Sequence, residues 1–182
     1  MARCSFKVRV MKKSDISIGL LNPKSPENVA SAMRAAGNYQ VNRVFYTGTR
    51  YARALGYREG AVNMSRKVSE GIPLSATDCL IDKIPEGVQL VCVEFAEGAA
   101  SLPEFQHPEH AFYIFGPEDG SISQEIIDHA DAVVYIPTVG CMNLAATVNV
   151  LLYDRLAKSS AYVAGNNLIC ASRDRNNTLK VR

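Results

Sequence analysis

Cysteine is scarce and poorly placed for crosslinking: the five residues Cys4, Cys79, Cys92, Cys141 and Cys170 are odd in number, scattered and free of any Cys-x-x-Cys pair. They fit neither a disulfide framework nor a zinc site, and they point to a reduced, cytoplasmic protein without a structural metal. An uncharged apolar run of membrane-spanning length is also missing, and the opening MARCSFKVRVMKKSD has positive charge but no apolar stretch before its lysines. Neither export nor membrane insertion is therefore expected. The dinucleotide fingerprint Gly-x-Gly-x-x-Gly is absent, which disfavours a conventional Rossmann cofactor site. Finally, no Lys or Arg occurs between Lys83 and Arg155, although the net charge is +2.

That last gap moves the positive charge to the two ends of the chain. One cluster, Arg43, Arg50, Arg53, Arg58, Arg66 and Lys67, is interleaved with Tyr46, Tyr51 and Tyr57, and the tail carries Arg173, Arg175, Lys180 and Arg182. Such a division offers one surface to a polyanion and another to a different ligand, although solvated surface charge also accounts for any single cluster. With 182 residues, of which 47% are hydrophobic, the chain has enough material for one sizeable core and too little for two. A single domain over 1–182 with short basic extensions at both ends is expected.

Short β-branched and aromatic runs alternate with helical patterns, the signature of an α/β domain with a largely parallel sheet. Strands are expected at 16–21, 41–46, 88–95, 111–115 and 132–136. Ser25 suits an N-cap and Pro26 the first helical position, and Val29, Ala32, Met33 and Ala36 then recur at the spacing of one buried face before Gly37 and Asn38 stop the helix. A second helix is expected from Ser121 or Ser123, and a last one from Asn143 with Leu144, Val148, Leu151 and Leu152 inward. Between 47 and 75 the chain is polar, basic and poor in periodicity, and reads as a long loop with room for a helical turn.

Ligands of open α/β sheets bind at the carboxyl ends of strands, where Glu94 and Phe95, residues 116–120, and residues 136–143 all fall. In the second of these loops Gly116 lets a ligand approach the backbone, Pro117 stiffens the turn, and Glu118 and Asp119 precede a helix start. Turn chemistry and the preference of carboxylates for a helix N-terminus would explain the same residues.

SPENVASAMRAAG (25–37), FGPEDG (115–120) and IPTVGCMNLAATVNVLL (136–152), taken together and in this order, resemble the three motifs of the TrmH-like branch of the SPOUT RNA methyltransferases. The resemblance implies a mostly parallel sheet flanked by helices with a carboxy-terminal trefoil knot, against the general rule that chains are not knotted. It implies transfer of a methyl group from S-adenosyl-L-methionine to a ribose 2′-hydroxyl of RNA by a homodimer whose contact includes the final helix, with Tyr153 and Leu156 as candidates. The expected RNA is tRNA ahead of rRNA. Base methylation by the same fold, or RNA binding without catalysis, are the alternatives.

The resemblance also assigns residues. Glu94, Phe95, Gly116, Glu118, Gly120, Ile136, Cys141, Met142, Asn143 and Leu144 are expected around the cofactor, and Asn28, Arg34, Glu118 and Asn143 at the reaction centre. Asn28 would orient the target nucleotide and Arg34 engage it near its ribose and phosphate. A guanidinium, with an ordinary pKa above ~12, is a poor free base and a good bidentate phosphate clamp, so positioning is favoured over the proton-accepting role the family also admits. Asn143 also suits the N-cap of the last helix. Cys141 stands where the family usually carries serine, in a loop that is shortened, and a thiol is the weaker hydrogen-bond donor. None of the three histidines, His107, His110 and His129, lies in a recognisable partner motif for a cysteine nucleophile. Without a separate RNA-binding domain, recognition is expected to come from Arg50, Arg53, Arg58, Arg66 and Lys67, the basic tail and a second subunit.

Overall fold

Each of the expected strands forms in the computed structural model, which describes residues 14–56, 69–174 and 176–181. They are β1 (Ile16–Leu20), β2 (Arg43–Tyr46), β4 (Gln89–Val93), β6 (Ala111–Phe115) and β7 (Ala132–Tyr135), and two short strands, β3 (Leu74–Ala76) and β5 (Ala100–Ser101), extend the edges. The sheet runs β3-β2-β1-β6-β4-β7-β5 with every pairing parallel. β1 and β6 sit in the middle and are buried along their whole length. Helices cover both faces of such a sheet, which is why these strands, Ser17 apart, are apolar instead of alternating with polar residues.

The two faces divide the core. Along β6, Ala111, Tyr113 and Phe115 join one cluster with Val29, Ala32, Ala35 and Ala36 of α1 (Pro26–Asn38) and Val148, Leu151 and Leu152 of α4 (Leu144–Ala157). Phe112 and Ile114 point the other way, to Leu80, Ile122 and, at its margin, Ile126 of α3 (Gln124–Asp128). Leu151 is fully buried, so truncation to Ala there would cost about 2–5 kcal/mol.

The ends of α1 differ in how they follow from sequence. Ser25 caps its start by accepting the Asn28 amide at 3.2 Å, and Pro26 opens its first turn. The helix ends at Asn38, where the sequence places its stop, but Gly37 is still helical: Tyr39 closes the end and Gln40 takes the left-handed turn with φ 56°. The amide of Val41 then returns to the Ala36 carbonyl at 2.9 Å, which satisfies the helix end without glycine in the left-handed position. Within the segment 47–75 expected as a long loop with room for a helical turn, α2 (Arg50–Gly56) follows β2 almost directly and β3 begins at Leu74. Residues 57–68, with Arg58, Arg66 and Lys67, lie outside the described residues. A last short helix, α5 (Asn166–Ser172), carries no buried residue.

Beneath α4 a polar chain crosses the core. Arg155 only donates, to the carbonyls of Pro108 and Glu109 and at 2.9 Å to the Tyr113 hydroxyl. The tyrosine proton is thereby directed to Nδ1 of His107 at 2.7 Å, and Nε2–H of His107 donates to Asp154 at 2.9 Å, which also pairs with Lys158 at 2.7 Å. This order needs a neutral histidine. Burial lowers the His107 pKa below its ordinary 6.5, with the nearby charges of Arg155 and Lys158 acting in the same direction against Asp154. Burial pushes the Tyr113 hydroxyl up to about 12.

Because the folded protein disfavours charged His107, its contribution to stability is complete above pH 6.5 and is lost as pH falls below that value. For Tyr113 the contribution is complete below pH 10 and is lost as pH rises from there toward about 12. Denaturant midpoints measured from pH 8 down to 5 should therefore fall more steeply for the wild type than for His107→Gln. Parallel curves would remove His107 as the cause.

Candidate active site

In an all-parallel sheet the carboxyl ends of β1, β6, β4 and β7 share one edge, so the loops that follow them meet although they are far apart in sequence. The meeting point is Glu118. Its Oε2 accepts the backbone amide of Lys24 at 2.9 Å, and its Oε1 accepts the amide of Ser25 and Nδ2 of Asn28, both at 3.1 Å. Burial pushes its carboxyl pKa up, but the hydrogen bonds from Ser25, Asn28 and Lys24 together prevail and hold it below the ordinary 4.5. Glu118 is thus a carboxylate fixed at the N-terminus of a helix of 13 residues, where the dipole also favours it.

The chain of contacts continues. Oδ1 of Asn28 accepts Nδ2 of Asn143 at 2.8 Å, and Oδ1 of Asn143 caps α4 through the amides of Ala145 and Ala146 at 2.9 and 3.3 Å. Both amide side chains are oriented by this network, since each oxygen faces a donor and each nitrogen faces an acceptor. Segments around residues 24–28, 118 and 143–146 are tied together by one run of hydrogen bonds.

Beside that run lies a cavity of about 140 Å³. Of the residues expected around the cofactor, Glu94, Phe95, Gly116, Glu118, Gly120, Ile136, Cys141, Met142 and Leu144 line it; Asn143 does not, and instead caps α4 and bonds Asn28. Pro117 and Thr138, inside loops expected at the site, also line it, and Val93, Phe115, Tyr135 and Thr147 complete the wall and belong to no site expectation drawn from sequence. Their signal is positional, as they end the strands or face inward from the first turn of α4. Glu94 bridges two segments, since its Oε1 accepts the Phe95 amide at 3.0 Å and its Oε2 the Ile122 amide at 2.9 Å. A Cβ added at Gly116 would lie 3.1 Å from that Oε2, so the glycine leaves room for this bridge. Cys141 is exposed at the rim.

The cations are distributed differently from their sequence grouping. Arg50 binds Asp119 at 2.6 Å and the Asn22 carbonyl at 3.0 Å, and it is therefore committed to holding the loop after β1 against the loop after β6. Its hydrogen bonds and charge, with the charge of Lys24, keep the Asp119 carboxyl below its ordinary value. Arg43 pairs with Asp15 at 2.9 Å. Arg53 is exposed on α2. Arg34 is exposed on α1, does not line the cavity, and makes no hydrogen bond or ion pair among the described residues. Six residues separate it from Asn28, about 9 Å along the helix axis. Among the described residues no three side chains of the His, Cys, Asp and Glu type converge as a metal would require.

A parallel sheet with a cavity at the carboxyl ends of its strands, lined by the loops after β4, β6 and β7, defines an α/β enzyme-like fold. The chain belongs to the SpoU rRNA Methylase family, whose model matches residues 15–153. No curated protein matches the sequence. Among solved structures it is similar to the TrmH/SpoU tRNA modifying enzyme of A. aeolicus, with TM-score 0.67 and 18% identity over 80% of this chain and 75% of that one. A structure described as giving insights into 2-OH methylation of C/U34 on tRNA aligns with TM-score 0.65 and 22% identity over 82% and 93% of the two chains. The SpoU methyltransferase AviRb of Streptomyces viridochromogenes, solved with AdoMet, aligns with TM-score 0.62 and 17% identity over 80% and 61%. At these identities the likeness is one of fold.

Replacing Glu118 by Ala leaves the Lys24 and Ser25 amides and the Asn28 side chain without their acceptor. The expected result is a stability loss of about 1–3 kcal/mol and faster hydrogen exchange at those two amides, with core amides of β6 unaffected. Unchanged exchange at Lys24 and Ser25 would mean that Glu118 does not hold the loops.

Proposed function

We propose that this protein transfers a methyl group from S-adenosyl-L-methionine to a ribose 2′-hydroxyl of RNA, with tRNA ahead of rRNA as substrate. The observation that carries this reading is the convergence of the loops after β4, β6 and β7 on one cavity, with the first motif tied to its edge through Glu118, in a member of the SpoU family. It is supported by the neighbouring folds, one solved with AdoMet and one described for 2-OH methylation on tRNA. The cavity's chemistry fits the cofactor. Val93, Ile136, Met142 and Leu144 offer an apolar wall, and the carboxylates of Glu94 and Glu118 oppose a positive charge in a poorly hydrated cleft.

The bound cofactor supplies an electrophilic methyl group on a sulfonium; the remaining work falls to the protein. Glu118 fixes Asn28, and Asn28 with Asn143 presents a rigid polar edge to the acceptor side of the cleft. Arg34, without a partner among the described residues, is assigned to a phosphate of the bound RNA, which draws the ribose toward the cavity through its ordinary bidentate chemistry. Proximity of this kind is worth several orders of magnitude in rate, and as the methyl–oxygen bond would form and the methyl–sulfur bond break, the hydroxyl proton would leave to water. Cys141 at the rim leaves the family's serine role to Thr138 or to backbone groups, and an inactive RNA-binding protein is what remains if transfer is not observed.

The same reading includes the trefoil knot and a homodimer. The outer face of α4 carries Ala146, Val150, Tyr153 and Ala157 at helical spacing, all exposed, so this helix is apolar on two sides. A helix of that kind is normally covered, and a second copy of the same helix is the partner we assign. Leu156 is half-buried beside this stripe.

RNA incubated with the protein and methyl-labelled cofactor is expected to yield the label in an alkali-resistant dinucleotide, because a methylated 2′-oxygen no longer attacks its phosphodiester. Label in a free base after glycosidic cleavage would establish base methylation instead. Arg34→Ala should abolish transfer with little change in cofactor affinity by calorimetry, and Arg34→Lys should also be poor. Parallel loss of both properties would make Arg34 structural.

A further inference from the structure

A second cavity, of about 190 Å³, opens at the same carboxyl edge of the sheet but on the face away from α1 and α4. Its wall is apolar where Leu21, Leu80, Ile81 and Ile126 meet, and polar where Thr47, Asp78, Ser123 and Glu125 approach. We propose that this cavity holds a nucleobase bearing an amino group, so that the protein reads an RNA base neighbouring the nucleotide whose ribose it methylates. The proposal rests on the methyltransferase reading for its biological sense and on the cavity alone for its chemistry.

Size comes first. An apolar cavity of about 150 Å³ accepts a benzene-sized ring, so this one suits a single planar heterocycle and not a whole nucleotide. The polar groups then select its edge. Neither carboxylate, of Asp78 or Glu125, has a hydrogen bond or ion pair among the described residues, and carboxylates only accept. The Ser123 hydroxyl makes no capping bond although the residue caps α3, and the Thr47 hydroxyl accepts the Asn22 amide at 3.0 Å and keeps its proton to donate. Among the described residues no Lys or Arg lines the cavity, so nothing there favours a phosphate.

A ligand for such walls is flat, apolar on its faces and rich in N–H donors at its edge. Guanine fits best, because its ring N–H and amino group lie in parallel and engage one carboxylate twice. Cytosine and adenine offer one amino group each. Uracil brings a single N–H between two carbonyls that would face the carboxylates. Single-stranded RNA exposes these edges for readout.

The route between the cavities supports an RNA base over a free nucleotide. Thr47 of the second cavity is bonded to Asn22, the Asn22 carbonyl to Arg50, and Arg50 to Asp119, the residue next to Glu118 of the first. Lys24 lies 3.8 Å from the same Asp119. Lys24, with its side chain 65% exposed, thus lies on the strip between the two openings and offers its charge to the backbone phosphates of a strand whose bases and sugars occupy both sites.

The test follows side-chain methyl signals of Leu21, Leu80, Ile81 and Ile126 by NMR in the full-length protein. A short single-stranded RNA with one guanosine in a uridine background is expected to shift them, and an all-uridine RNA is not. GMP alone should act only at concentrations about tenfold or more higher, since it lacks the second site. Asp78→Asn with Glu125→Gln, both at the exposed rim, should weaken the guanosine effect by about tenfold. Equal shifts from the all-uridine RNA, no shifts from any RNA, an unchanged double variant, or GMP as potent as the RNA would each overturn the proposal. Demethylated cofactor is followed separately through Val93 and Leu144, and its failure to shift them would count against the methyltransferase reading while the base site is judged on its own signals.

Discussion

The constraint on which the site depends is the need of α1's first amides for an acceptor. A helix leaves its initial N–H groups without internal partners, and here the Ser25 hydroxyl satisfies that of Asn28 while the Glu118 carboxylate, from a loop more than ninety residues away, takes the amide of the cap residue Ser25 and that of Lys24 just before it. That single carboxylate fixes where the loop after β6 meets the start of α1. Asn28 and Asn143 then transmit the position to the start of α4. Removing the charge would weaken a helix cap, a loop-to-loop contact and the orientation of both amide side chains together, so the cost is not assignable to one interaction.

The sheet makes this economy possible. β1 and β6 are adjacent although α1, β2 and three further strands separate them in sequence, and their parallel register places Leu20 opposite Phe115. Residues immediately beyond that pair are the loops that Glu118 joins. β4 and β7 extend the same edge, with Val93 opposite Val134, and deliver Glu94 and Ile136 to the cavity. Glu94 repeats the device of Glu118 on a smaller scale, as its carboxylate accepts amides from its own loop and from Ile122.

Much of this was legible because it is local. The longer strands are mostly apolar, α1 and α4 have caps and inward faces at helical spacing, and the loops lie at strand ends by rule. What sequence could not show are the contacts that join distant residues. Arg50 sits in a basic, tyrosine-rich stretch that looks like an RNA surface, yet Asp119 and the Asn22 carbonyl occupy its guanidinium. His107 has no neighbouring motif, and its partners Tyr113 and Asp154 come from β6 and α4. The strands β3 and β5 are too short for any period to register. Gly37 looks like a helix stop and is passed over because Gln40 accepts the left-handed turn two residues after Asn38.

The uneven charge along the chain takes on a physical meaning at the site. The stretch free of Lys and Arg from 84 to 154 supplies every acidic group of the first cavity and the loop beside it, Glu94, Glu118 and Asp119, and Glu125 of the second. Two of these carboxylates are held by backbone amides, which orient them without cancelling their charge, so the cavity favours a cation. A polyanion would be repelled from such a mouth. The cations that offset this, Lys24 and Arg50 at that edge and Arg34 further along α1, all come from the first part of the chain. Attraction of a cationic donor and of an anionic acceptor therefore arises from two halves of the sequence, and the Arg50–Asp119 pair is the seam where they are joined.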